Sequence, residues 1–429
     1  MALPPDIADR ETLALELHAR PSQALAAPAR MTLLAVMVAP SERPRELQHL
    51  RDLCAQWNID PPTPEDAHFG ALFGEVDVRW ERHGEFSSYT FLLPELSPEP
   101  FSDPPIGRLP KEWIRNIPGQ TLYAAHAKVA RAGDELPTLE ELKRYFGEQV
   151  PVGAHIGGGA GVAYTDFWIH ADGFARFVVL DRSLTPRQAG RTLQRLFEIE
   201  TYRMAALLAL PIARNLSARI HEWEQALSEV STQVARDAMA DETIMQAITQ
   251  LHADIESALA RSEFRFGASR AYHDLIVRRI AELREQRIQG LQTINEFMSR
   301  RLSPAIATIL STESRLHALS ARVTKVSTLL STRVDIARAA QNQSLLAALN
   351  RRAEMQFHLQ RAIEGLSTAA IVYYAAGLVG YLAKGAKSFG LNVNVDLAVA
   401  ASVPVLTLLS VWAVYRAHKR ISGLIRPAS

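Results

Sequence analysis

The chain has a single cysteine, Cys54, among its 429 residues, and it has almost no excess of charge of either sign. One thiol allows no disulfide within the chain and excludes a structural zinc site that is built from several thiolates. The 47 basic and 46 acidic residues leave a formal net charge of +1, so we expect no nucleic-acid partner. Residues 1–13 contain neither the basic nor the apolar segment of a signal peptide, and none is predicted.

The charge is distributed unevenly along the chain. Residues 1–185 carry 17 basic and 26 acidic side chains, a net charge of −9, whereas residues 186–429 carry 30 and 20, a net charge of +10. Of the 23 prolines, 18 lie at or before Pro151. This change predicts a domain boundary near residue 185, between an acidic, turn-rich front domain and a basic, helix-compatible remainder.

The front domain, residues 1–185, has the patterns of an α+β fold. Met31–Val38 is a continuous apolar run that suits a buried strand, and Glu75–Leu93 and Tyr164–Leu180 each contain two strand-like segments about a turn. Further elements are expected at Leu122–Val129 (a strand) and at Ile7–His18, Arg43–Trp57 and Thr138–Phe146 (helices). We predict an α+β cytoplasmic domain with a mainly antiparallel sheet.

Candidate chemistry in the front domain is sparse. Gly153–Gly161 (GAHIGGGAG) has the composition of a phosphate-binding loop, but no Lys-Ser or Lys-Thr follows and the next element is strand-like. We therefore expect a flexible loop there. The sequence contains no nucleophile elbow and no catalytic cysteine context, so we predict no catalytic residues, no cofactor and no enzymatic activity.

Residues 186–303 are predicted to form a helical middle. The expected helices are Arg187–Leu210, one that restarts at Pro211, Thr243–Leu259 and Ser269–Met298, with a break at Gly267. Ser303-Pro304 has the N-cap and first-turn residues of a further helix, and residues 304–364 are predicted to be a stalk. Its packing seam consists of Leu316, Leu319, Val323, Val326 and Leu330.

Two uncharged apolar segments follow the stalk. Residues 365–383 and 397–415 contain 19 residues each, nearly enough for a helix to cross a hydrocarbon core of about 30 Å. We predict a two-helix transmembrane hairpin with an outer loop at 384–396 and a basic tail at 416–429. Lys and Arg flank the pair on the side of the stalk and the tail, so the positive-inside rule puts both termini in the cytoplasm of an inner-membrane protein. The basic stalk and tail could contact anionic lipid, or the stalk could contact the acidic front domain.

Three segments of the front domain form a recognisable set. They are Leu17–Pro21 (LHARP), Ala27–Arg30 (APAR) and Arg79–Phe91 (RWERHGEFSSYTF), to which Arg195–Arg203 (RLFEIETYR) adds. Together they resemble a bacterial family of uncharacterised membrane-anchored proteins, which implies anchoring but no activity. The candidate site residues that carry this resemblance are His18, Arg20, Arg79, Trp80, Glu81 and His83. A buried, paired polar network at the sheet edge is the alternative role for them.

The order of elements also resembles the CorA-type divalent-cation transporters, which are pentamers whose first span lines the pore. Their Gly-x-Asn signature has a counterpart in Gly390-Leu391-Asn392, so the resemblance implies a pore entrance at Gly390 and Asn392. Ser367 and Thr368 are the polar pore-lining candidates of the first span. The sequence departs from that family because Lys384 and Lys387 precede the motif and would repel Mg²⁺ at a pore mouth.

Two functions follow as hypotheses. The first is an oligomeric inner-membrane protein of CorA-like architecture that conducts a divalent cation such as Mg²⁺, as a pentamer if the resemblance extends to subunit number. The second is a membrane-tethered scaffold or interaction module, in which the hairpin only anchors the front domain. An enzymatic front domain is the least favoured alternative.

Overall fold

The computed structural model describes residues 23–97, 99–236, 241–388 and 394–424, together with Ile7 and Arg10. Apart from those two residues, the helix predicted at Ile7–His18 lies outside the described residues. The chain divides into two compact units, Met1–Thr328 and Leu329–Ser429. The first unit begins with an α+β region, as the sequence predicts, and continues into long helices.

Within the described residues, nine strands form one sheet in the order β2-β3-β4-β1-β5-β8-β7-β6-β9. The strands are β1 (Ala29–Met37), β2 (His68–Phe73), β3 (Val76–Arg82), β4 (Phe86–Leu93), β5 (Gln120–Arg131), β6 (Val152–Ile156), β7 (Gly161–Thr165), β8 (Ala175–Asp181) and β9 (Gln286–Arg287). All neighbouring pairs are antiparallel except β5 and β8, which are parallel. The mainly antiparallel sheet is therefore confirmed for the described part of the chain.

The hairpins form where the sequence has turn residues. β3 and β4 pair directly around residues 83–85, and β7 pairs with β8 across a loop that contains Gly173 at φ 86°. The glycine-rich segment is a third hairpin, because Gly157, Gly158 and Gly159 have φ values of 62°, 72° and 97° in the turn between β6 and β7. Prediction of a flexible loop was wrong here: positive φ values that suit glycine make the segment a tight turn.

Helix α1 (Arg43–Trp57) covers one face of the sheet. Alternate residues of β1, β3 and β4 pack against it together with the short helix α2 (Lys111–Arg115). These residues form a hydrophobic core, whose largest buried side chains include Trp80, Tyr89 and Phe91. Helix α3 (Leu139–Phe146) begins at a capping box formed by Thr138 and Glu141 and packs on the β7–β8 end of the sheet.

Long helices follow the sheet. They are α4 (Pro186–Leu207), α5 (Ala209–Arg236), α6 (Asp241–Leu283) and the shorter α7 (Ile294–Arg301). The break predicted at Gly267 does not exist, because α6 runs through this glycine between the buried side chains of Phe266 and Ser269. The helix predicted at Ser269–Met298 is also wrong, since α6 ends at Leu283 and β9 precedes α7.

Helix α8 (Ser303–Ser388) and helix α9 (Val395–Leu424) complete the described chain. Four of the five residues of the predicted seam, Leu316, Leu319, Val323 and Leu330, are buried, and Val326 is half-buried. Two helical segments, Ile294–Ser388 and Val395–Arg416, are long and apolar enough to cross a membrane by length and composition. Helix α8 ends five residues beyond the predicted end of the first span at Ala383.

Candidate functional site

A cleft lies in the first unit, on the sheet face opposite α1. It is bounded by β1, β3, β4 and α4 and encloses about 630 Å³ of empty space, counting the part that is open to solvent. Its lining residues are Gln23, Met31, Leu33, Arg79, Glu81, His83, Phe86, Ser88, Thr90, Gly190, Gln194, Phe197, Glu198, Thr201 and Tyr202. Three of the residues singled out in the sequence, Arg79, Glu81 and His83, thus meet at one site.

The alternation of β3 divides the predicted site residues between two faces. Arg79 and Glu81 point into the cleft, whereas Trp80 points to the opposite face, where it is 1% exposed. There the indole nitrogen of Trp80 donates a hydrogen bond of 3.0 Å to Glu46 Oε1 of α1, and the Tyr89 hydroxyl donates to the same oxygen at 3.1 Å. Trp80 is therefore part of the core, and the cleft does not include it.

His83 lies in the turn between β3 and β4 at the rim of the cleft. Its Nε2 atom shares a hydrogen bond of 3.3 Å with Ser88 Oγ and is 3.8 Å from Glu81 Oε2. The imidazole ring stacks on Phe86, with the ring centroids 4.4 Å apart. These contacts fix the His83 ring against the wall of the cleft, close to the Glu81 carboxylate.

Helix α4 supplies a second carboxyl group. Glu198 accepts a hydrogen bond from Gln194 Nε2 at 2.9 Å and forms an ion pair with Arg279 of α6. Burial raises the pKa of the Glu198 carboxyl, and the negative charge of Glu81 raises it further, while Arg279 opposes the shift. The carboxyl groups of Glu81 on β3 and Glu198 on α4 are thus close enough for the charge of Glu81 to raise the pKa of Glu198.

The chain segment that begins at Gln23 crosses α4 at close range. A Cβ atom added to Gly190 would lie 1.6 Å from the Gln23 carbonyl oxygen, so only glycine permits this approach. Leu25 N donates a hydrogen bond of 2.9 Å to Pro186 O, which holds the segment along the first turn of the helix. The Gln23 side chain bonds to Asp77 of β3 and thereby closes one end of the cleft.

A polar contact behind His83 ties the β3–β4 turn to α6. Glu85 forms an ion pair with Arg265 and accepts a hydrogen bond of 2.9 Å from the Tyr272 hydroxyl. Tyr272 stacks on Tyr202 of the cleft at 5.6 Å between ring centroids. The sequence does not predict these contacts, because α6 carries no motif. For Glu198, Thr201 and Tyr202 the only signal is their place within Arg195–Arg203.

The remaining predicted site residues are not in this cleft. His18 and Arg20 lie outside the described residues, as do Gly390 and Asn392. On α8, Ser367 is exposed, while Thr368 is half-buried, lies in a cleft that α8 shares with α9, and donates a hydrogen bond of 2.8 Å to Glu364 O. The two pore-lining candidates therefore differ in their surroundings.

Among the residues that the structure describes, no group of three or more His, Cys, Asp or Glu side chains could hold a metal ion. The fold and the cleft define the chain as an α+β domain with appended long helices, of which two stretches are apolar enough to span a membrane.

A family model described as "Protein of unknown function (DUF3422)" matches residues 5–421, and the chain belongs to that family. No curated protein gives a significant match to the chain. Membership agrees with the expectation of an uncharacterised family that covers nearly the whole chain, and it assigns no activity.

Proposed function

We propose that this protein is a subunit of an oligomeric inner-membrane protein of CorA-like architecture that conducts a divalent cation such as Mg²⁺. The observation that carries the proposal is the end of α8. This helix extends to Ser388, so Phe389–Asn392 follows it directly, and the Gly-x-Asn pattern stands at the end of the first apolar helix. In the CorA-type transporters the signature has that position.

The orientation of α8 supports a path along one of its faces. Ala376 and Ala383 are buried, and Gly380 lies beside Val399 of α9, so these positions mark the face toward α9. At about 100° per residue, Ser367 lies roughly 160° from Ala383, on an exposed face that points away from α9. The proposed path follows that face, with Ser367 as its polar member and Thr368 outside it.

The same geometry weakens the objection from the two lysines. Lys384 lies about 100° and Lys387 about 160° from Ser367 around the helix, so neither shares its face. The Lys384 ammonium is 5.9 Å from the centroid of the Tyr381 ring, which gives its charge a local partner. A ring of lysines facing the proposed path is not required by the sequence.

The exposure of α8 in the second unit supports self-association. Every residue from 335 to 363 is exposed, although the segment is rich in large apolar side chains. Four of these, Leu345, Leu349, Leu359 and Ile363, fall within an arc of about 80° on the helix surface. An apolar stripe of this kind needs a cover in water, and the same stripe on neighbouring subunits would provide one.

The test is Mg²⁺ flux into proteoliposomes that contain an entrapped Mg²⁺-sensitive dye. We expect saturable uptake by the unmodified protein, loss of uptake in Asn392→Ala, and unchanged uptake in the matched control Asn394→Ala. Subunit counting by native mass spectrometry should give a closed ring. A monomer or dimer without flux would overturn the proposal, because one lining helix per subunit could not then enclose a path.

The second candidate function is a membrane-tethered scaffold or interaction module. It is favoured by the cleft, which lies in the first unit and contains polar groups that transport does not need. In this case Asn392→Ala would have no effect, and the purified protein would carry no cation flux. The flux experiment therefore separates the two functions.

A further inference from the structure

The cleft of the first unit combines a positive and a negative side chain on one strand face. Arg79 and Glu81 are two residues apart on β3, so their Cα atoms are about 6.7 Å apart and both side chains point into the cleft. The Arg79 and Glu81 side chains are 33% and 25% exposed, which leaves them partly buried but reachable from solvent. Arg79 lies 3.9 Å from Asp77 and Glu81 lies 3.8 Å from His83, and a small ligand that carries both charges would match the pair in place of these long contacts.

The neighbouring strand adds hydroxyl groups in register. Thr90 is the cross-strand partner of Arg79 and Ser88 is the partner of Glu81, and both line the cleft. Each charged side chain is thus flanked by a hydroxyl that can donate to, or accept from, the same ligand group. The result is two polar subsites, one for an anionic group beside Arg79 and Thr90 and one for a cationic group beside Glu81 and Ser88.

One wall of the cleft is apolar. Met31 and Leu33 of β1, Phe86 of β4 and Phe197 of α4 form the wall beyond the polar pair. An apolar wall beside convergent polar groups is typical of small-molecule pockets. The ligand should therefore carry an apolar side chain in addition to its two charges.

Other ligand classes fit the lining less well. A phosphorylated ligand would be attracted by one arginine and repelled by the carboxyl groups of Glu81 and Glu198. For a bare metal cation, the described residues contain no group of three His, Cys, Asp or Glu ligands. A purely cationic ligand would use the carboxyl groups but not Arg79. We infer that the cleft binds a free α-amino acid with an apolar side chain, its carboxylate on Arg79 and its ammonium group on Glu81.

The experiment is isothermal titration of the detergent-purified full chain with the twenty L-amino acids, followed by analogues of one of them. For L-leucine, 3-methylbutylamine lacks the carboxylate and 4-methylpentanoate lacks the ammonium group. We expect an apolar amino acid to bind and each analogue to bind at least tenfold more weakly, because each loses one charge-assisted hydrogen bond. This measurement is independent of cation flux.

Variants locate the site. Arg79→Gln and Glu81→Gln should each weaken amino-acid binding at least tenfold, and Thr90→Val, which keeps the shape of the side chain, should weaken it less. Arg82→Gln is the matched control, because Arg82 follows Trp80 on the opposite face and donates a hydrogen bond of 3.2 Å to Pro64 O. Melting temperatures within about 2 °C of the unmodified protein would show that the variants fold.

Three outcomes would overturn the inference. They are no binding of any amino acid at millimolar concentration, equal binding of an amino acid and its two analogues, or equal affinity of Arg79→Gln and Arg82→Gln.

Discussion

The division of β3 between core and cleft gives the sharpest prediction. Replacing Trp80 with Phe removes the hydrogen bond to Glu46, a charged acceptor, which costs about 1.5–3 kcal/mol. It also removes part of a fully buried ring system, at about 0.8 kcal/mol for each lost methylene-sized group. We expect Trp80→Phe to lower the free energy of unfolding by about 3–4 kcal/mol. Arg79→Gln, one residue away, should cost about 1 kcal/mol or less, because its side chain is one-third exposed.

The assay is thermal unfolding of the detergent-solubilised protein, followed by intrinsic fluorescence. At roughly 2 °C per kcal/mol for a large domain, Trp80→Phe should lower the melting temperature by about 6 °C or more and Arg79→Gln by about 2 °C or less. A third variant, Glu46→Gln, also breaks the ion pair of this buried carboxylate with Arg43, and it should destabilise the protein at least as much as Trp80→Phe. Equal shifts for Trp80→Phe and Arg79→Gln would refute the register assigned to β3.

Three further predictions concern the first unit. Burial lowers the pKa of His126 to about 4, so the folded protein binds a proton there less readily than the unfolded chain does. The protein should therefore lose up to about 3 kcal/mol of stability as pH falls from 6.5 to 4, and His126→Gln should flatten the dependence of the melting temperature on pH. Gly190→Ala should destabilise the protein, because its Cβ would overlap a backbone carbonyl, whereas Gly267→Ala, with open space around it, should stabilise helix α6 slightly. Glu200→Gln should cost about 3–5 kcal/mol, since Arg203 pairs with both oxygens of this buried carboxylate at 2.6 and 2.8 Å, and a Glu200→Met/Arg203→Met double variant should recover part of the loss in urea unfolding.

The sequence predicts those elements that depend on the pattern of a short segment. Strand β1 and the β3–β4 hairpin follow from an apolar run and a turn, and the helix expected at Arg43–Trp57 forms as α1; all three lie near the predicted bounds. The parallel pairing of β5 with β8 was not predicted, because it joins segments about 50 residues apart, with helix α3 and the β6–β7 hairpin between them. Strand β2 (HFGALF) was missed because glycine and alanine weaken its alternation.

Helix α6 shows why a single glycine was misleading. An internal glycine costs about 1 kcal/mol relative to alanine, which favours a break when only the sequence is considered. In the structure Ile255, Phe266 and Ile276 of the same helix are buried, and the burial of one such side chain outweighs that cost. Tertiary packing, which the sequence does not display, decides the continuity of the helix.

The candidate site was predictable only in part, because one half depends on a local pattern and the other half on tertiary packing. The alternation of a strand alone separates Arg79 and Glu81 from Trp80, so half of the cleft could have been derived from the sequence. The other half could not, because Glu198 and Tyr202 reach the cleft only through the packing of α4 on the sheet. Its closure at one end depends on Gly190, whose small size matters only where the segment at Gln23 crosses the helix.

The length of α8 determines where the charges of Lys384 and Lys387 lie relative to the proposed pore entrance. From Gly365 to Ser388 the helix has 24 residues, or about 36 Å, which exceeds a hydrocarbon core of about 30 Å. Lys384 and Lys387 therefore belong to the helix that carries the apolar segment, where long basic side chains can extend to the headgroup level. Their positions around the helix, away from the face of Ser367, then matter more than their number in a loop. The proposed cation path thus depends on the face of α8 that lines it, and counting charges between two apolar segments cannot identify that face.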